Sequence, residues 1–147
     1  MNSFQKWTRV LLLAQILSVP SCHTKEHRES EIELAMQRYD HLILKLDADS
    51  IAMLYTSDGN LGDIAVGRDS IRKFLSSFKN VRVLSQASVT DSINIIGDTA
   101  LQKGSYVQTD VVASKDTVTV KGTYFVRWQW INNEGWRIKQ MTTRPLH

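Results

Sequence analysis

The stretch Asp116 to Ile131, DTVTVKGTYFVRWQWI, constrains the fold more than any other part of the chain. Its even positions are Val118, Val120, Gly122, Tyr124, Val126, Trp128 and Trp130; its odd positions are Thr117, Thr119, Lys121, Thr123, Phe125, Arg127 and Gln129. Successive side chains of a strand point to opposite faces, so this alternation predicts one long strand with the even set on a core and the odd set largely in solvent. Such a strand needs partners and a cover. Partners are at hand: the residues after Asn80 are rich in β-branched side chains, with turn signals at Gly97-Asp98, Ser114-Lys115 and Asn132-Asn133-Glu134-Gly135. Four long strands joined by hairpins are the simplest arrangement.

The cover comes from the first half, where the period is helical. Ile32, Met36, Tyr39, Ile43 and Leu46 recur at three- and four-residue steps, with Ala35 and Leu42 widening the stripe, which predicts an amphipathic helix from Glu31. His41 points away from that stripe. Asp47 or Asp49 can cap a short second helix running through Tyr55, and Asp58-Gly59 then reads as a turn. A third helix is predicted over VGRDSIRKFLSSF, entered at Gly67, with Ile71, Phe74, Leu75 and Phe78 as its buried face. Helices followed by a run of antiparallel strands predict an α+β domain, its helices segregated on one face of the sheet.

At the N-terminus, Lys6 and Arg9 precede the apolar run Val10 to Val19 and then Ser21-Cys22, the layout of a secretory signal. The run is too short for a span of about 20 apolar residues. The tetrad Val19-Pro20-Ser21-Cys22 resembles a bacterial lipobox, which implies removal of residues 1–21 and a lipidated Cys22 as the new N-terminus. The alternative is ordinary cleavage that leaves a free thiol. Because residue 23 is His rather than Asp, the resemblance implies an outer-membrane lipoprotein facing the periplasm. HTKEHRESE, residues 23–31, has almost no apolar side chains and reads as a solvated tether carrying His23 and His27. The organisation is then a signal over 1–21, lipidated Cys22 and tether over 22–30, and one domain over 31–147.

Of the chain's 18 basic residues against 15 acidic ones, loss of Lys6 and Arg9 leaves 16. The electrostatic footprint of a nucleic-acid binder is therefore absent. The four histidines show no metal-ligand spacing, the single cysteine sits at the anchor, and no serine lies in a nucleophile elbow. No metal or other cofactor is expected.

The opening helix, DADSIAMLYTSDGNL, VGRDSIRKFL, INIIGDTALQKGSY and finally YFVRWQWINNEGWRIKQMTTRP, in this order, resemble the nuclear transport factor 2-like superfamily, in particular its SnoaL-like and ketosteroid-isomerase-like domains. The resemblance covers residues 30 to 147. It implies a cone-shaped roll, about three helices packed on a strongly bent sheet, with a cavity between them. Its members include isomerases, cyclases, dehydratases and non-catalytic binding domains, so function has to come from the pocket.

Candidate pocket residues are Tyr39 on the helical stripe, Tyr106 and Tyr124 on core-side strand positions, and Trp128 as wall. If Trp136 is the buried side of the last strand, Gln140 and Arg144 share its side and approach the cavity or its rim. Each of these can equally be ordinary packing or surface. No core-facing strand position up to Trp130 is expected to carry His, Asp or Glu, so a proton-transfer base is not obvious. Asp63, in the segment DGNLGD that the resemblance places near the cavity mouth, is the candidate if one exists, against a turn aspartate bonding its own backbone. Two functions stay open. One is a lipid-anchored envelope domain that binds a small apolar molecule or a protein partner; the other is a small acid/base enzyme of isomerase, cyclase or dehydratase type. A homodimer through the outer sheet face is compatible with either.

Overall fold

The computed structural model of the chain describes residues 26–113 and 116–146. The predicted signal segment, Cys22, His23 and the turn expected at Ser114-Lys115 lie outside the described residues. Three helices, α1 (Glu29–Lys45), α2 (Ala48–Met53) and α3 (Arg68–Leu75), cover a six-stranded sheet made of β1 (Tyr55–Leu61), β2 (Ala65–Val66), β3 (Val81–Ile96), β4 (Thr99–Val112), β5 (Asp116–Ile131) and β6 (Gly135–Pro145). The strand order is β2-β1-β6-β5-β4-β3. All pairs are antiparallel except β1 with β6.

The α+β class follows the sequence pattern, but the order does not: β1 and β2 stand between α2 and α3, in the half of the chain read as helical, and raise the expected four strands to six. On α1 the stripe is seated as the spacing requires, with Ile32, Met36 and Ile43 buried against the sheet. Glu29 and Glu31 in the first turn and Lys45 in the last complement the helix dipole. Asp47 caps α2 by accepting from the Ser50 backbone N–H at 3.0 Å. Gly67, at φ 82, leads into α3, which buries Ile71 and Leu75. On β5 the even residues from Gly122 to Trp128 are buried, whereas Val118 near the strand's start is exposed.

Two departures from the predicted pattern have the same cause. The second helix stops at Met53, and Tyr55 opens a strand whose Asp58-Gly59 had the signature of a turn. Instead β1 carries an irregularity between Tyr55 and Asn60 against β6. A Cβ on Gly59 would stand 2.8 Å from Tyr55 Cβ and 2.9 Å from the Ile138 carbonyl oxygen, so glycine here permits a close backbone approach at a bulge. On β6 a second irregularity lies between the pairs Arg127 with Gln140 and Trp128 with Ile138. Lys139 is the extra residue. Before it Trp136 and Ile138 are buried; after it the buried side passes to Met141. Gln140 and Arg144, which strict alternation places with Trp136, are thereby turned to the other face, paired with the outward Arg127 and Thr123. Two further irregularities, at Leu84 and Asp91 of β3, add curvature to the long hairpin.

The start of the domain differs too. His27, expected on a solvated tether, has only 1% of its side chain exposed. Its ring packs against Trp130 and Trp136 at centroid distances of 4.5 and 4.7 Å, and its Nδ1 lies 3.0 Å from Glu31 Oε2. Glu31 in turn accepts from Trp136 Nε1 at 2.9 Å. The chain is docked before α1 begins.

Candidate functional site

Between α1, α3 and the concave side of the sheet lies a cavity of about 460 Å³. Its size falls in the range of ligand sites, roughly 300–1,000 Å³. Helix α1 contributes Met36, Tyr39 and Ile43, α3 and the turn after it contribute Phe74, Leu75 and Phe78, and the walls are completed by Leu61, Ile64, Val81, Val83, Val112 and Met141. Phe74 and Phe78 meet edge to face at 5.1 Å. Against this apolar lining stands one polar strip, formed by Gln86 and Ser88 on β3 and Tyr106, Gln108 and Asp110 on β4, with Tyr124 and Thr143 beside it.

The tyrosines are held by their neighbours. Tyr106 and Tyr124 face Gly122 and Gly104 across the β4–β5 ladder. A Cβ on Gly104 would lie 2.6 Å from the Tyr124 Cζ and Oη, and one on Gly122 would lie 2.5 Å from Tyr106 Cε1. Each ring thus lies over a glycine of the adjacent strand. The Tyr124 hydroxyl is 3.3 Å from Thr90 Oγ1, and the Tyr106 hydroxyl bonds Thr143. Tyr39 is hydrogen-bonded to Tyr55, whose hydroxyl donates to Met141 Sδ at 3.6 Å.

Burial pushes all four phenols above their usual value of about 10, and at Tyr39 the negative charge of Asp40 adds to it. At neutral pH the three cavity tyrosines are therefore protonated. They can donate or accept hydrogen bonds but offer no phenolate.

The expected pocket residues divide. Tyr39, Tyr106 and Tyr124 are brought together on the cavity. Trp128 is not on it: its side chain is 1% exposed, packed in the core with Nε1 donating to Gln102 Oε1 at 2.9 Å. Gln140 and Arg144 are off the cavity because of the Lys139 bulge, and Arg144 instead borders a shallow outer depression with Asp91 and Lys103. Asp63 stands exposed in the turn between β1 and β2, whereas its neighbours Leu61 and Ile64 reach the cavity.

The expectation that no inward strand position bears an acid is corrected by Asp110. It lies four residues beyond Tyr106 on the same face of β4, and both its carboxylate oxygens accept from Gln108 Nε2, at 3.0 and 2.9 Å. The signal was present in the alternation Tyr106, Gln108, Asp110. Asp40, one residue past Tyr39, is also committed to this wall: Oδ1 accepts from Gln86 Nε2 at 3.0 Å and Ser88 Oγ at 2.7 Å, and Oδ2 from the Ser88 N–H at 2.9 Å. It ties α1 to β3 behind the polar strip. Chemically the arrangement can enclose an apolar body, set tyrosine side chains against it, and present one carboxylate, Asp110.

The sequence profile of the SnoaL-like domain family matches residues 27–142. Among curated protein sequences no relative matches. A ketosteroid isomerase-like protein from Erwinia carotovora atroseptica superposes with a TM-score of 0.71 at 19% identity, over 80% of this chain and 95% of that one. A nuclear transport factor 2-like superfamily protein from Salmonella enterica serovar Typhimurium gives 0.67 at 19% identity, over 80% and 90%. A third, from Novosphingobium aromaticivorans, with a cystatin-like fold, gives 0.65 at 19% identity, over 80% of each chain. At these identities the likeness is one of fold.

Proposed function

Because the chain belongs to the SnoaL-like domain family of the nuclear transport factor 2-like superfamily, we propose that it binds a small, mainly apolar molecule in the cavity beneath α1 and α3. The supporting observation is the cavity itself, about 460 Å³ of largely apolar lining that includes three tyrosines and one polar strip. Sites of this kind, apolar with a few fixed polar groups, are where soluble domains hold small molecules.

A substitution that fills the space tests this. Val81 lines the cavity at the start of β3 and is only half-buried, so Val81→Trp puts an indole into it with modest strain on the fold. Against a panel of aromatic and alicyclic alcohols and ketones, the unaltered chain is expected to gain thermal stability and retain a compound in native mass spectrometry. Val81→Trp is expected to weaken that binding at least tenfold. Binding that persists in Val81→Trp would remove the proposal, as would an unaltered chain that binds no small apolar compound.

The domain works at the cell envelope, held to a membrane through Cys22. Support for this comes from the sequence alone, from the charged and apolar layout of residues 6–19 and the Val19-Pro20-Ser21-Cys22 tetrad. Several acyl chains on one residue anchor stably, since each buried methylene contributes about 0.8 kcal/mol. In a bacterial host fed labelled palmitate, the chain is expected to take up label and sediment with membranes. Cys22→Ala is expected to lose both. An unlabelled wild-type chain in the soluble fraction would refute the anchor.

A further inference from the structure

The charge census of the cavity narrows what it can hold. Among the described residues that line it there is no lysine, arginine or histidine, and the single carboxylate is Asp110. Among the described residues, the side chain that reaches Asp110 is a neutral amide, Gln108 Nε2. No ion pair engages it among the described residues. Directly across the β3–β4 ladder from Gln108 is Gln86, which gives its Nε2 hydrogens to Asp40 and Ser88 and keeps Oε1 buried without a hydrogen-bond partner. Asp40 behind it is satisfied by Gln86 and Ser88, again without a cation. Among the described residues, this wall thus carries one carboxylate and a spare amide oxygen, with a second carboxylate behind it and no lysine, arginine or histidine on the cavity.

A carboxylate bonded only by an amide, beside a spare amide oxygen, selects its occupant. A carboxylate or phosphate would bring like charge into an apolar enclosure, where repulsion is poorly screened. A neutral ketone or ether would cover Asp110 and leave a desolvated charge with no counterion. A protonated amine supplies the missing counterion and offers N–H donors to Asp110 and to neighbouring acceptors. We propose that the ligand of this cavity is an amine: an apolar, ring-sized body ending in a protonated primary or secondary nitrogen that pairs with Asp110. This rests on the reading of the cavity as a binding site.

Three probes with one ring system and different ends test it: naphthylmethylamine, naphthylmethanol and naphthoic acid, titrated calorimetrically into the purified full chain near neutral pH. The amine is expected to bind at least tenfold tighter than the alcohol, about 1.4 kcal/mol, and the acid to bind most weakly. Asp110→Asn should bring the ratio of amine to alcohol close to one, and Asp110→Glu should restore a preference for the amine. An alcohol or acid that binds as tightly as the amine overturns the proposal, as does a preference that survives Asp110→Asn. The two readings fail differently. If the alcohol binds and is displaced by Val81→Trp but the amine has no advantage, the cavity remains a binding site with another ligand class; if no probe and no member of the earlier panel binds, both readings fall.

Discussion

Gly104→Ala is expected to lower the stability of the folded chain by about 3 kcal/mol, at the upper end of what overpacking a core usually costs. A Cβ at this position would lie 2.1 Å from the Val89 carbonyl oxygen on β3 and 2.6 Å from the Tyr124 ring on β5, so the added methyl is trapped between a backbone on one side and an aromatic on the other. The ring can swing. The carbonyl cannot move without opening the β3–β4 ladder, in which Thr90 and Gly104 are direct partners. Urea melts give the measurement, and a midpoint within error of the unaltered chain would show that the tyrosine does not rest on the glycine. The double substitution Gly104→Ala with Tyr124→Leu separates the two contacts. It should recover part of the loss, the part due to the ring, and leave the part due to the strand. The consequence reaches the cavity, because a displaced Tyr124 ring changes its floor.

How far the sequence foretold this molecule depends on whether a residue's role is set by its own strand or by a distant one. The alternation from Gly122 to Trp128 states which side of β5 is buried, and the structure agrees. The same rule fails at Lys139, because one extra residue reverses every later side chain while leaving the composition unaltered. Gly59 fails for the same reason: next to an aspartate, a bulge glycine and a turn glycine look alike. Asp110 is legible from Tyr106 by counting in twos along β4, since the two share one face of the strand. His27 was not legible. The residues that bury it, Trp130 and Trp136, lie about a hundred positions downstream, and nothing local distinguishes a docked histidine from a solvated one. Of the cavity, its three tyrosines could be read in advance; its acid could have been, and the lack of a cation among its described lining residues shows only once the walls are assembled.

Trp128→Ala is expected to cost about 4 kcal/mol from lost burial and the cavity it leaves, a large share of the 5–15 kcal/mol that holds a typical domain folded, roughly. More than volume is at stake. Trp128 Nε1 donates to Gln102 Oε1 at 2.9 Å, Gln102 Nε2 donates to Thr90 Oγ1 at 2.9 Å, and Thr90 Oγ1 meets the Tyr124 hydroxyl at 3.3 Å. Gln102 is wholly buried, so each of its amide atoms that loses a partner adds about 1–3 kcal/mol. Trp128→Phe keeps most of the ring and removes one donor, and should cost about 2 kcal/mol. Gln102→Leu strands the Trp128 N–H and should cost a similar amount. If the network is coupled, the double variant costs less than the two single losses together, since neither partner is then left alone in the core. Strict additivity would mean that the indole is held by packing alone. The coupling matters beyond stability because the chain of bonds runs across β3, β4 and β5 and ends on a cavity tyrosine. An apolar core of the same volume could hold the sheet together, but it would not fix the direction in which the Tyr124 hydroxyl points.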